Sequence, residues 1–186
     1  MRAHVRILFY LVGVTMGVWC LSSPALGLTG DLTNDPAGVV GKYVELDKRG
    51  ARLTAQTYEV VAPYVAWEDE PVWEHLVVIQ DYEVVDDVTQ WTIVSGTEAI
   101  IPVTFQVLGE VVWETATFEA SPRADTLSIR IRAVDNYWRM VDPPFPPHVG
   151  RQRLVDFVKD AILQEDVEDR ARVLRVLKDD LVEAGQ

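Results

Sequence analysis

The stretch IRAVDNYWRMVDPPFPPH, residues 131–148, decides the fold because it contains a complete hairpin and the end of a sheet. Residues 127–133 alternate apolar with polar side chains, which predicts a strand with one buried face. Asp135 and Asn136 both tolerate positive φ, so they predict a two-residue turn, after which residues 137–141 return as an antiparallel strand. Proline supplies no N–H to a ladder, and PPFPP therefore ends the sheet. The hairpin is predicted to be the last of an antiparallel sheet.

Segments upstream of the hairpin also have the pattern of strands. Residues 76–85 are rich in β-branched side chains and are followed by a turn at Asp86 and Asp87. Residues 99–107 carry apolar side chains at the odd positions, which predicts one inward face, and Pro102 among them suggests an edge strand or a bulge. Shorter strands are predicted at 90–94 and 111–119, with a loop at 121–125.

Helical patterns flank the predicted sheet on both sides. Asp35 and Pro36 are favourable first residues of a helix, and Gly50 is a favourable stop about 14 residues later. Thr54 predicts a second short helix that ends before Pro63. After residue 150 two amphipathic helical stripes follow, separated near residues 164–169. The fold class predicted is therefore α+β: a curved antiparallel sheet wrapped on N-terminal helices, with a C-terminal helical extension.

The second C-terminal stripe leaves two interpretations open. Val167, Leu174, Leu177 and Leu181 recur at helical spacing. The stripe can dock on a partner, which would make the protein a homodimer or part of an assembly, or it can fold back onto its own domain.

The first residues are typical of a signal peptide. Arg2 and Arg6 precede an apolar run over about residues 7–21, which is shorter than the roughly 20 residues that span a bilayer. Small residues before Gly27 predict cleavage there, and an uncleaved membrane anchor is the alternative. The predicted organisation is a signal peptide (1–27), an α+β domain (28–150) and the helical extension (151–186), in a periplasmic or secreted protein with no stable membrane span after cleavage. Cys20 lies in the predicted leader, so the mature chain would contain no thiol.

Charge excludes one class of partner. The formal charge is −12, and loss of two arginines with residues 1–27 makes it −12 − 2 = −14. An acidic surface repels phosphate backbones, so no nucleic-acid partner is predicted.

The order of predicted elements and the hairpin residues Trp138, Arg139, Met140 and Val141 resemble the nuclear transport factor 2-like superfamily, of the SnoaL and cystatin-like α+β kind. Exported bacterial members have a final strand of the pattern Trp-Arg-hydrophobic-Val that stops at prolines. The resemblance covers about residues 35–148 and implies a cone-shaped domain with a pocket between sheet and helix. Enzymatic members, such as steroid isomerases, dehydratases and polyketide cyclases, use pocket acids or an Asp-His pair, whereas others only bind or assemble. The fold alone does not decide among these functions.

Titratable residues offer only weak candidates for catalysis. Asp81 would be a general acid or base if its strand face lined the pocket, although a solvent-facing Asp81 with Tyr82 turned inward is the simpler interpretation. His148 is expected to be a solvated residue behind the prolines, with a pocket-lining or catalytic role as the alternatives. His75 and its acidic neighbours lack the spacing of a metal site, so neither metal nor cofactor is predicted.

The aromatic residues can build either the core or an apolar pocket, and core is the simpler interpretation. The predicted function is an exported, non-catalytic binding or assembly module for a small apolar molecule or a protein partner, and the alternative is an isomerase, dehydratase or hydrolase with a pocket carboxylate. The candidate pocket residues are Tyr43, Tyr58, Trp67, Tyr82, Phe105 and Trp138.

Overall fold

The computed structural model describes residues 35–69 and 71–185, and its largest element is a strongly curled six-stranded sheet with helices packed on it. The predicted signal peptide lies outside these residues. The helices are α1 (Pro36–Lys48), α2 (Arg151–Gln164) and α3 (Glu168–Glu183). The strands are β1 (His75–Val84), β2 (Thr92–Ser95), β3 (Glu98–Val112), β4 (Thr117–Val134), β5 (Tyr137–Asp142) and β6 (His148–Gly150). The predicted α+β class, with its curved sheet and helices, is confirmed.

The sheet is mixed, with strand order β5-β4-β3-β1-β6 and with β2 paired to β3. All pairs are antiparallel except β1 and β6, which run parallel. The prediction that the hairpin is the last part of the sheet is therefore wrong, because β6 follows it in the chain and joins the same sheet. Residues 143–147 bring Phe145 into the core and return the chain to the free edge of β1, where Val77 donates its N–H to the Pro147 carbonyl (2.8 Å).

The hairpin itself forms as predicted. Asp135 and Asn136 have φ of 50° and 67°, the left-handed conformation that a two-residue turn requires. Ile129 and Ile131 are fully buried, whereas Arg130 and Arg132 lie on the opposite face, where each donates to Glu98 at 2.8 Å. The alternation predicted for residues 99–107 is also confirmed, since every odd position there is buried.

Two expectations about prolines and loops are wrong. Pro102 lies on a central strand, at the point where β1 ends opposite Val103 and β2 begins opposite Ile100, so no ladder needs its missing N–H there. Residues 121–125 are strand and not loop, because β4 continues through them beside β3 with a register shift at Gly109.

Helix α1 begins at Pro36 as predicted, although Asp35 makes no side-chain cap hydrogen bond. At the other end of α1, Gly50 adopts φ +83°. The Gly50 N–H donates to the Asp47 backbone carbonyl, and the Ala51 N–H donates to the Leu46 backbone carbonyl. These two bonds form a Schellman motif, which reverses the chain. The predicted second helix is instead a short 3₁₀ helix, Ala55–Val60.

Two cores lie on the two faces of the sheet. The inner core contains α1 and the inner face of the sheet, with Tyr43, Tyr64, Phe105 and Phe145 as its buried aromatic members. The outer core lies between the other face and the pair α2 and α3.

The C-terminal stripe belongs to the outer core. Leu174, Leu177 and Leu181 are at most 2% exposed, so they pack on their own domain and are not a docking surface. Only Val167 of the predicted stripe is exposed, at 60%. Among the described residues no helix is long and apolar enough to span a membrane.

Candidate binding cleft

The space between sheet and helix, where the resemblance implies a pocket, is filled by side chains. Tyr43 and Phe105 are completely buried, and Phe145 packs against both at ring-centroid distances of 5.7 and 6.3 Å. Trp67, Tyr82 and Trp138 are partly buried and pack against the same inner core. All six predicted pocket residues therefore pack in or against the inner core, and five of them do not line the cleft described next.

An aromatic cleft of about 360 Å³ opens elsewhere, beside the first strand and helix α2. The sixth predicted residue, Tyr58, is part of its wall. Its other aromatic members, Trp73, Trp113 and Phe157, are not among the predicted pocket residues, although the motif EPVW before β1 was a signal that could have indicated the first of them. The remaining lining residues are mostly apolar: Leu53, Thr54, Pro71, Val72, Leu76, Pro147 and Arg52.

Separate elements position the aromatic rings of the cleft. Trp113 follows directly on β3 and packs against Phe157 of α2, with ring centroids 5.2 Å apart and planes inclined at 47°. Arg170 of α3 donates to the carbonyl oxygens of Trp113 and Glu114, at 2.8 Å each, and so fixes the turn that carries the indole. Offset and tilted ring pairs of this kind are the favoured aromatic geometry. The wall that Trp113 and Phe157 form is therefore held by three elements.

Arg52 forms the floor of the cleft. Its guanidinium lies over the rings of Tyr43, Trp73 and Phe145, with its Cζ atom 5.6 to 5.7 Å from each centroid. One terminal nitrogen donates to Asp47 Oδ2 (3.2 Å) and the other to the Phe145 carbonyl (2.7 Å). The side chains of Arg52 and Asp47 are 1% and 0% exposed, and the Schellman motif at Gly50 brings them together.

A buried ion pair of this kind contributes little to net stability, because the desolvation of both charges offsets their attraction. Removal of one partner leaves the other charge buried and uncompensated, which lowers the free energy of unfolding by about 3–5 kcal/mol. Because Asp47 compensates Arg52, the floor presents aromatic faces and a neutralised cation to a ligand. A ligand that enters the cleft therefore meets little net charge.

His148 lies beneath this ion pair and is buried, contrary to the expectation of a solvated side chain. Its ring packs at a tilt on Phe105 (centroids 4.3 Å apart) and edge-to-face with Phe145 (5.2 Å), and its backbone N–H donates to Asp47 Oδ2 (2.8 Å). Nδ1 lies 2.7 Å from the Pro146 carbonyl oxygen, which can only accept, so Nδ1 carries the proton of the neutral ring. Burial lowers the pKa of His148 to about 4, against the opposing effect of the Pro146 carbonyl. The imidazole is thus a neutral, packed side chain at physiological pH.

Asp81 lies on the exposed face of β1. Its carboxylate is 69% exposed and accepts from Lys48 Nζ at 2.8 Å. This hydrogen bond holds the pKa of Asp81 below its usual value, which is the opposite of the raised pKa that a general acid needs. Tyr82 turns inward, and its hydroxyl donates to Glu45 (3.1 Å); burial, together with that bond, raises the pKa of Tyr82 to about 12.

His75 does not gather metal ligands. Its Nε2 lies 3.8 Å from a Glu110 carboxylate oxygen. Within residues 35–69 and 71–185, no three potential ligands lie close enough to hold a metal ion.

The chemistry available at the cleft is therefore stacking and apolar contact.

No family model, no curated protein and no solved structure matches the chain.

Proposed function

We propose that this protein is an exported, non-catalytic binding protein that holds a small apolar ligand in the cleft lined by Tyr58, Trp73, Trp113 and Phe157. The single observation that carries the proposal is the cleft itself, about 360 Å³ of space with four aromatic rings on its walls. Ligand sites in proteins are clefts of roughly 300–1,000 Å³ lined mainly by apolar and aromatic side chains. Export and membership in the nuclear transport factor 2-like superfamily stay predictions from the sequence.

The composition of the walls indicates the chemistry of the ligand. Among the described residues of the lining Arg52 is the one that carries a charge, and Asp47 already compensates it at 3.2 Å. A charged ligand would lose water without gaining an opposite charge, which is costly in an apolar site. The cleft therefore favours a neutral ligand with a flat ring or a short aliphatic chain.

Catalysis is disfavoured by the environments of the two weak candidates. Asp81 is exposed and paired with Lys48, and its pKa is lowered. His148 is packed between two phenyl rings with its backbone N–H bound to Asp47. Neither residue is in the lining of the cleft, so binding is the function that we propose.

Binding of Nile red, a neutral apolar dye, tests the proposal. Val72 is on the rim of the cleft and 97% exposed, so Val72→Asp adds a charge there without disturbing the packing. We expect the variant to bind the dye at least about fivefold more weakly, measured by fluorescence titration, because a rim carboxylate must be partly desolvated by an apolar ligand.

Val94→Asp is the matched control. Val94 is 48% exposed on β2, which pairs with the opposite end of β3 from Trp113, and this variant should bind the dye as the wild type does. Equal affinity of all three proteins would contradict the assignment of the ligand to this cleft.

A further inference from the structure

A second groove, of about 370 Å³, lies where the end of α1 meets the beginning of α2. It does not share a lining residue with the aromatic cleft and has a different character, since most of its lining is charged or amide-bearing. The lining residues are Glu45, Lys48, Arg49, Ile79, Gln80, Gly150, Arg151, Gln152 and Arg153.

Positive charge is concentrated in this groove. The chain as a whole carries −12, yet four of the nine lining residues are Lys or Arg and only one is an acid. Lys48 pairs with Asp81, which lies next to the groove, and Arg49 pairs with Glu45. Among the described residues, neither Arg151 nor Arg153 has a carboxylate within salt-bridge distance. Asp156 also interacts electrostatically with Arg153, but it is paired with Lys159 at 3.0 Å. The lining together with Asp81 therefore has an excess of two positive charges.

Arg151 and Arg153 each keep N–H donors that are available to a ligand. Arg153 Nε donates to the Arg49 carbonyl at the end of α1 (3.2 Å), and a terminal nitrogen of Arg151 donates to the Val182 carbonyl in the last turn of α3 (3.4 Å). These bonds explain why the side chains lie where they do, because cations are favoured at helix C-termini. A guanidinium has five N–H donors in a rigid fork, and one bond each leaves the capacity for a further, bidentate partner.

The position of these arginines along the chain adds an electrostatic cost. Arg151 and Arg153 are in the first turn of α2, a turn with no acidic residue and no side-chain cap. Positive charges at the beginning of a helix oppose its dipole. An anion in the groove would offset both the dipole and the two unpaired guanidinium charges.

We propose that this groove binds a phosphate group, free or as the monoester of a small solute, through Arg151, Arg153 and Lys48. A phosphate dianion would neutralise the excess of two positive charges. Its oxygens can accept paired hydrogen bonds from a guanidinium group. The amides of Gln80 and Gln152 are further donors in the lining. The groove and the aromatic cleft are independent sites, so either can be present without the other.

Titration calorimetry of the full mature chain with inorganic phosphate tests this proposal. Arg153→Gln removes one fork from an exposed position and should weaken phosphate binding about tenfold. Asp81→Asn removes the carboxylate that competes for Lys48 and should tighten binding severalfold. Arg172→Gln, on α3 and paired with Asp169, is the matched control and should leave the affinity unchanged.

Opposite changes in Arg153→Gln and Asp81→Asn would support the proposal, since a general loss of stability would not raise affinity in either variant. Absence of phosphate binding in the wild type at millimolar concentrations, or equal affinities in all four proteins, would overturn it. Glycerol phosphate in solution and sedimentation with phosphatidic acid vesicles distinguish the two sources of the group. Binding to the vesicles alone would contradict the assignment to a small solute.

Discussion

At the residue scale, the burial of His148 couples the stability of the fold to pH. The ring is neutral and packed between Phe105 and Phe145, with a pKa lowered to about 4 from an ordinary value of 6.5. Between these two pH values the His148 side chain is therefore protonated in the unfolded chain and neutral in the folded chain. This contribution to the free energy of unfolding is fully present above about pH 6.5 and is lost as the pH falls to about 4, by roughly 3 kcal/mol.

The variant His148→Phe tests this coupling. A phenyl ring keeps the packing against Phe105 and Phe145 but has no proton to bind, so the variant should lose less stability than the wild type between about pH 6.5 and 4. The free energy of unfolding from urea titrations at several pH values measures the difference. An equally steep decline in both proteins would show that other groups cause the acid sensitivity.

The roles of His148 and Asp81 differ in how far the sequence reveals them. Strand alternation at β1 indicates that Asp81 and Tyr82 face opposite ways, and an exposed Asp81 with an inward Tyr82 is what the structure shows. Nothing local to PPFPPH indicates that His148 is buried. Its environment comes from Asp47, which is 101 residues away, and a sequence pattern does not contain a contact of that range.

At the element scale, helix α3 stabilises its own domain. The exposed positions of α3 alternate with the buried stripe, so adjacent residues of similar type have opposite environments. Leu177 is 0% exposed in the outer core, whereas Val176 is 56% exposed.

Truncation of Leu177 and of Val176 distinguishes a packing role of α3 in its own domain from a docking role on a partner. Leu177→Ala should lower the free energy of unfolding by about 2–5 kcal/mol, because it opens a cavity in the outer core. Val176→Ala should change it by no more than about 0.5 kcal/mol. Neither variant should change the oligomeric mass measured by light scattering. A Leu177→Ala protein that keeps its stability but changes its mass would restore the docking interpretation.

Periodicity predicted most elements of the sheet, and it was wrong where only pairing with a neighbouring strand makes a segment part of the sheet. The segment 121–125 contains a proline and polar residues typical of a loop, yet β3 holds it in the sheet. At Gly109 the two strands approach so closely that a Cβ atom would collide with the Glu119 carbonyl and the Phe118 ring. Strand β6, only three residues long, has no pattern of its own and exists because β1 has a free edge.

At the scale of the whole molecule, the sheet separates two cores, and the cleft lies outside the inner one. The sequence predicted an aromatic pocket, but the aromatic residues that it selected mostly build the inner core around Tyr43 and Phe105. The cleft instead combines residues 52–58, the segment that leads into β1, the end of β3, Pro147 and helix α2. Five distant segments meet there, so only the assembled fold reveals the site.

Gentle native mass spectrometry of the mature protein, purified from an exporting host, tests the central claim most directly. We predict a chain that begins near Leu28 and carries a small additional mass that leaves on heating. The same preparation of Val72→Asp should carry less of that mass, and Val94→Asp should carry as much as the wild type. A bare chain that also fails to retain a neutral apolar probe would contradict the claim that this protein functions by binding a ligand in its aromatic cleft.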